Sequence, residues 1–142
     1  MTTRNEKDLW ANLKKVMSGH WTAQRHSDID FNPGVPDLSF VMPEIRGITA
    51  WCEMKVWDPK DKNYRLKHYT EHQKDWMMEQ HRIGVPVSIL LDIQTEYYLF
   101  GGEYILVPGS CLPDEYINYS IWRGNTLHGI NKAFINLVKH VR

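Results

Sequence analysis

The first seventeen residues carry a clear amphipathic pattern. Apolar residues recur there at intervals of three and four, which is the spacing of one helical face. They are Leu9, Trp10, Leu13, Val16 and Met17. Thr3 and Glu6 have the three-residue spacing of a capping box, and Gly19 follows as a typical end signal. The pattern predicts a helix over residues 4–17 with Thr3 as its N-cap.

The next part of the chain predicts three strands. Residues 21–27 and 38–41 are short strand candidates, separated by a turn that is rich in proline and glycine. Residues 48–57 predict a longer strand, because two sets of side chains alternate along it. One face carries Trp51, Glu53, Lys55 and Trp57, and the other carries Cys52, Met54 and Val56.

A helix and a buried strand follow. Thr70 and Gln73 form a second capping box for a helix over 70–82, and Gly84 is its stop signal. Residues 86–93 are a continuous apolar run, as expected of a central strand that is covered on both faces. With the strand at 48–57 they predict a right-handed βαβ crossover with two parallel strands.

The rest of the chain is less regular. Residues 97–100 and 104–107 predict a hairpin around Gly101-Gly102, and 129–141 predict a final helix. Residues 111–128 show no clear pattern. The predicted fold is therefore α/β, a mixed β-sheet flanked by helices, in a single domain of residues 1–142.

Composition narrows the class of protein. Of the 142 residues, 42% are hydrophobic and 24% are charged, which is typical of a globular domain. No apolar run approaches the roughly 18–20 residues of a membrane span, and the N-terminus lacks the apolar segment of a signal peptide. We therefore expect a cytoplasmic protein with no membrane partner. Cys52 and Cys111 are expected to be free thiols rather than a disulfide.

Charge gives only local indications of a nucleic-acid partner. Lys plus Arg and Asp plus Glu both number 17, so the net charge is zero. One basic segment follows the strand at 48–57. It contains Lys60, Lys62, Arg65 and Lys67. This segment could bind the phosphate backbone of DNA, or it could be an ordinary solvated loop.

Two acids and a lysine are the strongest candidates for chemistry. Asp37 begins one strand, and Glu53 and Lys55 share a face of the next. Buried charges are costly unless they are paired or bind a metal. If the strands pair as a hairpin, the two carboxylates and a backbone carbonyl would suit Mg²⁺ or Mn²⁺. The alternative is a turn aspartate and a salt-bridged pair on a solvent-facing strand.

These residues resemble a known signature. Pro36-Asp37 followed by Glu53-Met54-Lys55 is similar to the motif of PD-(D/E)XK nucleases. The segments 34–39, 51–55 and 70–76 resemble the VRR-NUC and viral Holliday-junction-resolvase-like branch of that superfamily. The similarity covers roughly residues 4–95, and residues 96–142 carry no motif of the family.

The resemblance implies a restriction-endonuclease-like αβββαβ core with an added C-terminal hairpin and helix. It implies a Mg²⁺-dependent DNA endonuclease, with Mn²⁺ as a substitute, in which Asp37, Glu53 and the carbonyl of Met54 bind the metal. Lys55 would activate or position the water that attacks a phosphodiester. Holliday junctions or other branched DNA would be the substrate, cut by a homodimer because symmetric incision needs two sites. A bacteriophage source, and so the host cytoplasm, is also implied.

Three further residues have two interpretations each. Gln73 matches the family's glutamine at the start of the second helix, an active-site position, but it also completes the capping box with Thr70. Glu6 would join the metal ligands, as the first-helix acid does in many PD-(D/E)XK enzymes, or it would only cap its helix. His26 lies near the loop before Asp37, and it has either an accessory role in the site or DNA contact, or no role.

Two other function classes stay open. One is a restriction or repair nuclease that acts on linear duplex or flaps. The other is a non-catalytic DNA-binding protein with the same fold, against which the intact set of motif residues argues. A C-terminal group is the candidate dimer contact, with packing in the core as the alternative. It consists of Tyr116, Ile117, Tyr119, Ile121 and Trp122.

Overall fold

The computed structural model of the chain describes residues 4–17, 19, 21–26, 36–43, 48–61, 70–102 and 113–140. The helices in these ranges are α1 (Glu6–Val16), α2 (Glu71–Arg82), α3 (Pro113–Tyr116) and α4 (Ile130–Lys139). The strands are β1 (Thr22–Arg25), β2 (Leu38–Val41), β3 (Thr49–Val56), β4 (Val87–Asp92), β5 (Tyr97–Gly101) and β6 (Trp122–Gly124). A 3-10 turn over Ile117–Tyr119 follows α3.

These strands form one sheet in the order β1-β2-β3-β4-β5-β6. Neighbouring strands are antiparallel except β3 and β4, which are parallel. Two parallel neighbours need a crossover connection, and helix α2 lies between β3 and β4 in the chain and provides it. The predicted parallel βαβ unit and the predicted mixed sheet flanked by helices are therefore confirmed. The order of one helix, three strands, a helix and a strand also agrees with the predicted core.

Apolar side chains form one cluster on each face of the sheet. The cluster under α1 and α4 includes Leu9, Leu13, Met54 and Phe134. The cluster under α2 and α3 includes Met77, Ile89, Phe100 and Tyr116. Every residue of β4 is buried, which confirms the prediction of a central strand covered on both faces.

Helix α1 begins two residues later than the sequence pattern predicts. Its N-cap is Asn5, whose side chain accepts a hydrogen bond from the N–H of Asp8 at 2.9 Å. The Asp8 carboxylate accepts from the N–H of Asn5 at 3.0 Å. Asn5 and Asp8 thus form the reciprocal capping box that was predicted for Thr3 and Glu6, and Glu6 becomes the first helical residue.

Strand β5 coincides with the first strand of the predicted hairpin. Strand β5 pairs with β4 on one side and with β6 on the other. The predicted partner, residues 104–107, lies outside the described residues. The final helix is confirmed as α4, which begins after Gly129, a residue at φ 91° where glycine is favoured.

The C-terminal group splits between core and surface. Tyr116 is fully buried, and its ring packs edge-on against Phe100 with centroids 5.9 Å apart. The prediction of a dimer contact is therefore wrong for Tyr116, because its aromatic area is already buried within its own chain. Tyr119 and Ile121 are 40% and 45% exposed.

The structure bears on two of the predictions from composition, those on membrane-spanning segments and on the cysteines. In the described part of the chain, no helix is long and apolar enough to cross a membrane. Cys52 is a buried free cysteine, and burial raises the pKa of its thiol to about 12. Cys111 lies outside the described residues.

A buried ion pair fixes the N-terminal segment to the sheet. The guanidinium of Arg4 donates two hydrogen bonds to the Asp92 carboxylate, at 2.7 and 2.8 Å, and one to the carbonyl of Gln94 at 2.7 Å. Asp92, at the end of β4, is fully buried, and it also accepts from the N–H of Gln94 at 2.7 Å. The charge of Asp92 is thus satisfied on several sides, and the start of α1 is held beside the end of β4.

We expect Arg4→Met to destabilise the protein by about 2 kcal/mol, because it leaves the buried Asp92 carboxylate without its cation. Urea denaturation measures the loss of unfolding free energy. Arg82→Met is the matched control, since Arg82 and its partner Glu79 lie on the exposed surface of α2. Equal behaviour of the two variants would show that the Arg4 pair contributes nothing to stability.

Candidate active site

The pairing of β2 with β3 brings Asp37 opposite Glu53. Leu38 lies opposite Cys52 in this antiparallel pair, so the residue before Leu38 faces the residue after Cys52. Leu38 and Cys52 belong to the cluster under α1 and α4, and alternation therefore directs the two acids to the α2 face. Asp37 is 8% exposed and Glu53 is 1% exposed. The predicted approach of the two acids is thus what the strand register produces.

A backbone hydrogen bond holds Asp37 in place. The N–H of Met54 donates to Oδ2 of Asp37 at 2.9 Å. The β2–β3 ladder ends at Leu38 and Cys52, so Met54 lies beyond the last residue that pairs with β2. The side chain of Asp37 takes the acceptor position that another strand residue would have filled. A carboxylate that accepts from a buried amide is fixed in direction.

The carbonyl of Met54 points to the same side of β3 as its N–H. The amides of Trp51 and Trp57 donate to carbonyls of Pro86 and Asp92, at 3.0 and 2.8 Å, so odd-numbered residues of β3 face β4. Peptide groups alternate along a strand, and even-numbered residues therefore direct both N–H and C=O toward the β2 side. The carbonyl that was predicted as a metal ligand is on the side of Asp37.

Glu53 is buried without a hydrogen-bond donor. Neither of its carboxylate oxygens accepts a hydrogen bond from any described residue. The group within hydrogen-bonding reach is the Asp37 carboxyl, and two carboxyl groups can bond only by sharing a proton. Burial first, and then this contact, raise the pKa of Glu53 far above its ordinary value.

Three neighbouring charges act on the pKa of Glu53, one in the opposite direction to the other two. Lys55 is 3% exposed and lies on the same face as Glu53, as the alternation of the strand predicts. Its positive charge lowers the pKa of Glu53, while the charges of Asp37 and Glu6 raise it. The effects that raise the pKa of Glu53 are larger than the effect of Lys55, which lowers it. The carboxyl pair therefore needs a cation or a shared proton.

These groups fit a small divalent cation. The buried Glu53 oxygens have no donor within the described ranges, and the Asp37 carboxylate and the Met54 carbonyl are directed to the same edge of β3. Mg²⁺ uses one or two carboxylates and completes its six ligands with water and substrate phosphate. In the described ranges no group of three or more His, Cys, Asp or Glu is arranged to hold a metal ion. The residues that would hold Mg²⁺ are therefore Asp37, Glu53 and Met54.

The roles of Glu6 and Gln73 in the site remain predictions. Glu6 is half-buried at the first position of α1, and its charge acts on Glu53, but it does not form a three-acid group with Asp37 and Glu53. The side chain of Gln73 accepts from the N–H of Thr70 at 2.9 Å, so the predicted capping box is confirmed. That contact accounts for Gln73 at the start of α2 and leaves its role in the site as a prediction.

The basic loop is described only at its first predicted residue. Lys60 is exposed, and its N–H donates to the Asp58 carboxylate at 3.0 Å, as in a turn. Lys62, Arg65 and Lys67 lie outside the described residues. The prediction that these four residues bind DNA therefore stays a prediction.

The structure adds Ser39 and Trp51 to the surroundings of the site and gives His26 defined contacts. Nε2 of His26 lies 2.8 Å from Oγ of Ser39, and the His26 ring stacks on Trp51 with centroids 5.2 Å apart. The N–H of His26 donates to the carbonyl of Asp37 at 2.7 Å. Sequence offered one signal for Ser39: it lies two residues after Asp37, on the same face of β2.

Comparisons with known proteins find similarity only among solved structures. No model of a protein family matches the chain, and no curated protein matches it. The chain is similar to the solved structure of Hjc from the archaeal hyperthermophile Archaeoglobus fulgidus, a Holliday junction resolvase. The TM-score is 0.46 and the identity is 17%, over 70% of this chain and 75% of that chain. At these values the likeness supports no conclusion about function.

We expect Glu53→Gln to stabilise the metal-free protein at neutral pH. In the unfolded chain Glu53 titrates near pH 4.5, whereas the folded chain retains the proton to higher pH. The stability of the wild type therefore falls as the pH rises above about 4.5, because the unfolded state releases its proton first. The melting temperature of the variant should exceed that of the wild type by about 3–8 °C at pH 7.5, and by less at pH 4.5.

Adding Mg²⁺ should reverse this order. A cation that binds only the folded state raises the melting temperature of the wild type, and Glu53→Gln should respond little. Glu79→Gln, an exposed glutamate on α2, should behave like the wild type in both respects. A Glu53→Gln protein whose melting temperature rises with Mg²⁺ as much as that of the wild type would contradict the metal site.

Proposed function

We propose that the chain is a Mg²⁺-dependent DNA endonuclease of the PD-(D/E)XK class, with branched DNA and four-way junctions as its substrate. One observation carries the proposal. A buried glutamate with no donor among the described residues lies opposite an aspartate that is fixed by a backbone amide, with a buried lysine on the same face. This arrangement costs stability unless a cation and an anionic substrate complete it.

Each residue of the site has a role in the proposed reaction. The carboxylates of Asp37 and Glu53 and the carbonyl of Met54 bind the cation. When bound, Mg²⁺ supplies a Lewis acid for the phosphodiester and lowers the pKa of a coordinated water. Lys55 orients the attacking water and offsets the charge that develops on the phosphate. The Met54 amide keeps Asp37 in position while charge develops on the phosphate.

The substrate class rests on the sequence resemblance to viral Holliday-junction resolvases. Symmetric incision of a four-way junction requires two sites, so we propose that the active species is a homodimer. In the basic loop, Lys60, Lys62, Arg65 and Lys67 would bind phosphates without reading sequence. These contacts would strengthen binding to every DNA substrate about equally.

We expect Asp37→Asn and Glu53→Gln to abolish Mg²⁺-dependent cleavage, since each removes a carboxylate ligand. Lys55→Met, which keeps the apolar stem, should lower the cleavage rate by roughly 10²–10⁴-fold. The three variants are compared in a gel assay of labelled DNA with the control Lys132→Met, a change at an exposed residue of α4. Cleavage by Asp37→Asn at the wild-type rate would refute the assignment. A Lys55→Met effect under about threefold would make Lys55 a structural partner of Glu53.

We expect a four-way junction to be cut faster than its linear arms or a flap of matched sequence. Cleavage of the three substrates is measured in parallel with light scattering at micromolar protein, which gives the mass in solution. Equal rates on all three, or a strict monomer, would favour a general nuclease. Binding without cleavage in either Mg²⁺ or Mn²⁺ would favour a non-catalytic DNA-binding protein.

A further inference from the structure

The imidazole of His26 extends across β2 toward β3. His26 continues β1, and the ring it stacks on, Trp51, belongs to β3, two strands away. Adjacent strands lie about 4.8 Å apart, so the two backbones are separated by about 10 Å. Because the ring centroids are only 5.2 Å apart, these side chains must meet above β2. The imidazole therefore lies over the strand that Asp37 begins.

The strand registers place His26 and the two acids in one row. Arg25 lies opposite Leu38, so His26 lies opposite Asp37, and Asp37 in turn lies opposite Glu53. Ser39 is the next residue on the same face of β2, and its hydroxyl is the partner of His26 Nε2. The two carboxylates are thus bordered by an imidazole on the β1 side and by the Ser39 hydroxyl two residues along β2.

The orientation of the imidazole is fixed from two sides. The indole of Trp51 packs against its face, and Ser39 holds one nitrogen at 2.8 Å. Trp51 is itself held by an edge-on contact with Trp76 of α2, with centroids 5.0 Å apart. His26 as a whole is half-buried. A polar ring that is held in one orientation beside a reaction site is suited to binding a ligand rather than to filling space.

We propose that His26 and Ser39 form a phosphate-binding subsite for the nucleotide next to the scissile bond. The inference rests on the proposed function, and it names a substrate contact of that same site. The contact between Nε2 of His26 and Oγ of Ser39 uses one donor of this pair and leaves the other, either Nδ1–H of His26 or the Ser39 hydroxyl, for a phosphate oxygen. A hydrogen-bond donor of this kind does not compete with the carboxylates for the cation. A DNA strand that is cut beside Asp37 must pass over either the β1 side or the β4 side of the two carboxylates.

The β4 side of the row is apolar, which favours the His26 side. Ile89 lies opposite Glu53 on β4 and is fully buried in the cluster under α2. A phosphate has no hydrogen-bonding partner in an apolar cluster of this kind. On the other side of the carboxylates His26 presents its ring nitrogens, and the buried Ser39 lies beside Asp37 on β2 with its hydroxyl toward that ring. The chemical asymmetry of the row therefore determines the direction in which the DNA backbone leaves the site.

The test compares two substitutions of the same ring. His26→Phe keeps the stack on Trp51 and removes both nitrogens, whereas His26→Ala removes both the stack and the nitrogens. The dissociation constant for a fluorescent four-way junction is measured by anisotropy with a chelator present. KM and kcat are measured in Mg²⁺, and the rise of the melting temperature with Mg²⁺ reports cation binding separately.

We expect His26→Phe to raise the dissociation constant and KM roughly tenfold, the scale of one hydrogen bond to a charged group. kcat and the response to Mg²⁺ should change less than threefold. Ser39→Ala should shift the same constants in the same direction by a smaller factor. It also carries the test if His26→Phe proves to be unfolded. His128→Phe, the same change at an exposed histidine after β6, is the matched control and should have no effect.

Three results would overturn the inference. Wild-type binding by His26→Phe together with weak binding by His26→Ala would mean that the ring acts by stacking. A loss of kcat and of the Mg²⁺ response at unchanged KM would mean that His26 only positions Asp37. If the wild-type chain neither binds nor cuts DNA, the proposed function fails as well, and that outcome differs from a failure confined to the two His26 variants.

Discussion

The burial of Glu53 is the constraint on which this site depends. Its carboxylate lies within the sheet with no donor among the described residues and with a second acid opposite it. An ionised group in that position is strongly unfavourable, and it is tolerated only when a proton or a cation neutralises it. Two neighbouring groups act on the carboxyl pair at this position. The Met54 amide prevents Asp37 from turning away, and Lys55 provides partial compensation from the same face.

Asp92 is a second buried acid in the same sheet, and its charge is paired and hydrogen-bonded. Both Asp92 and Glu53 are almost fully buried and lie on adjacent parallel strands. Asp92 has a bidentate arginine and a backbone amide, and its contacts join the N-terminal segment to the sheet. Glu53 has no such partner in the described part of the chain. This contrast within one sheet argues that Glu53 is kept for a ligand, because the other acid buried to the same degree is fully paired.

The surroundings of the carboxylates are chemically unequal. Toward β4 the row continues into the buried apolar side chains of Ile89 and Phe100, and toward β1 it continues into His26, whose ring is bonded to Ser39 of β2. The aromatic contacts from Trp76 through Trp51 to His26 connect helix α2 to that polar side. The helix that closes the parallel crossover therefore also supports the edge of the site. Packing on the α2 face and the geometry of the proposed substrate contact are parts of one arrangement.

Local sequence determined much of this protein. Alternation in β3, the apolar run of β4 and the capping box of α2 predicted those elements, because each pattern reflects which backbone groups and faces must be satisfied within a few residues. The spacing of Asp37, Glu53 and Lys55 likewise predicted the acid pair. Sequence could not decide that Asn5 rather than Thr3 caps α1, since both have the required partner three residues on. Nor could it show that β6 pairs with β5, that Tyr116 is core, or that His26 reaches Trp51 across β2. Those outcomes depend on strand register and on contacts between residues distant in the chain, which only the folded sheet brings together.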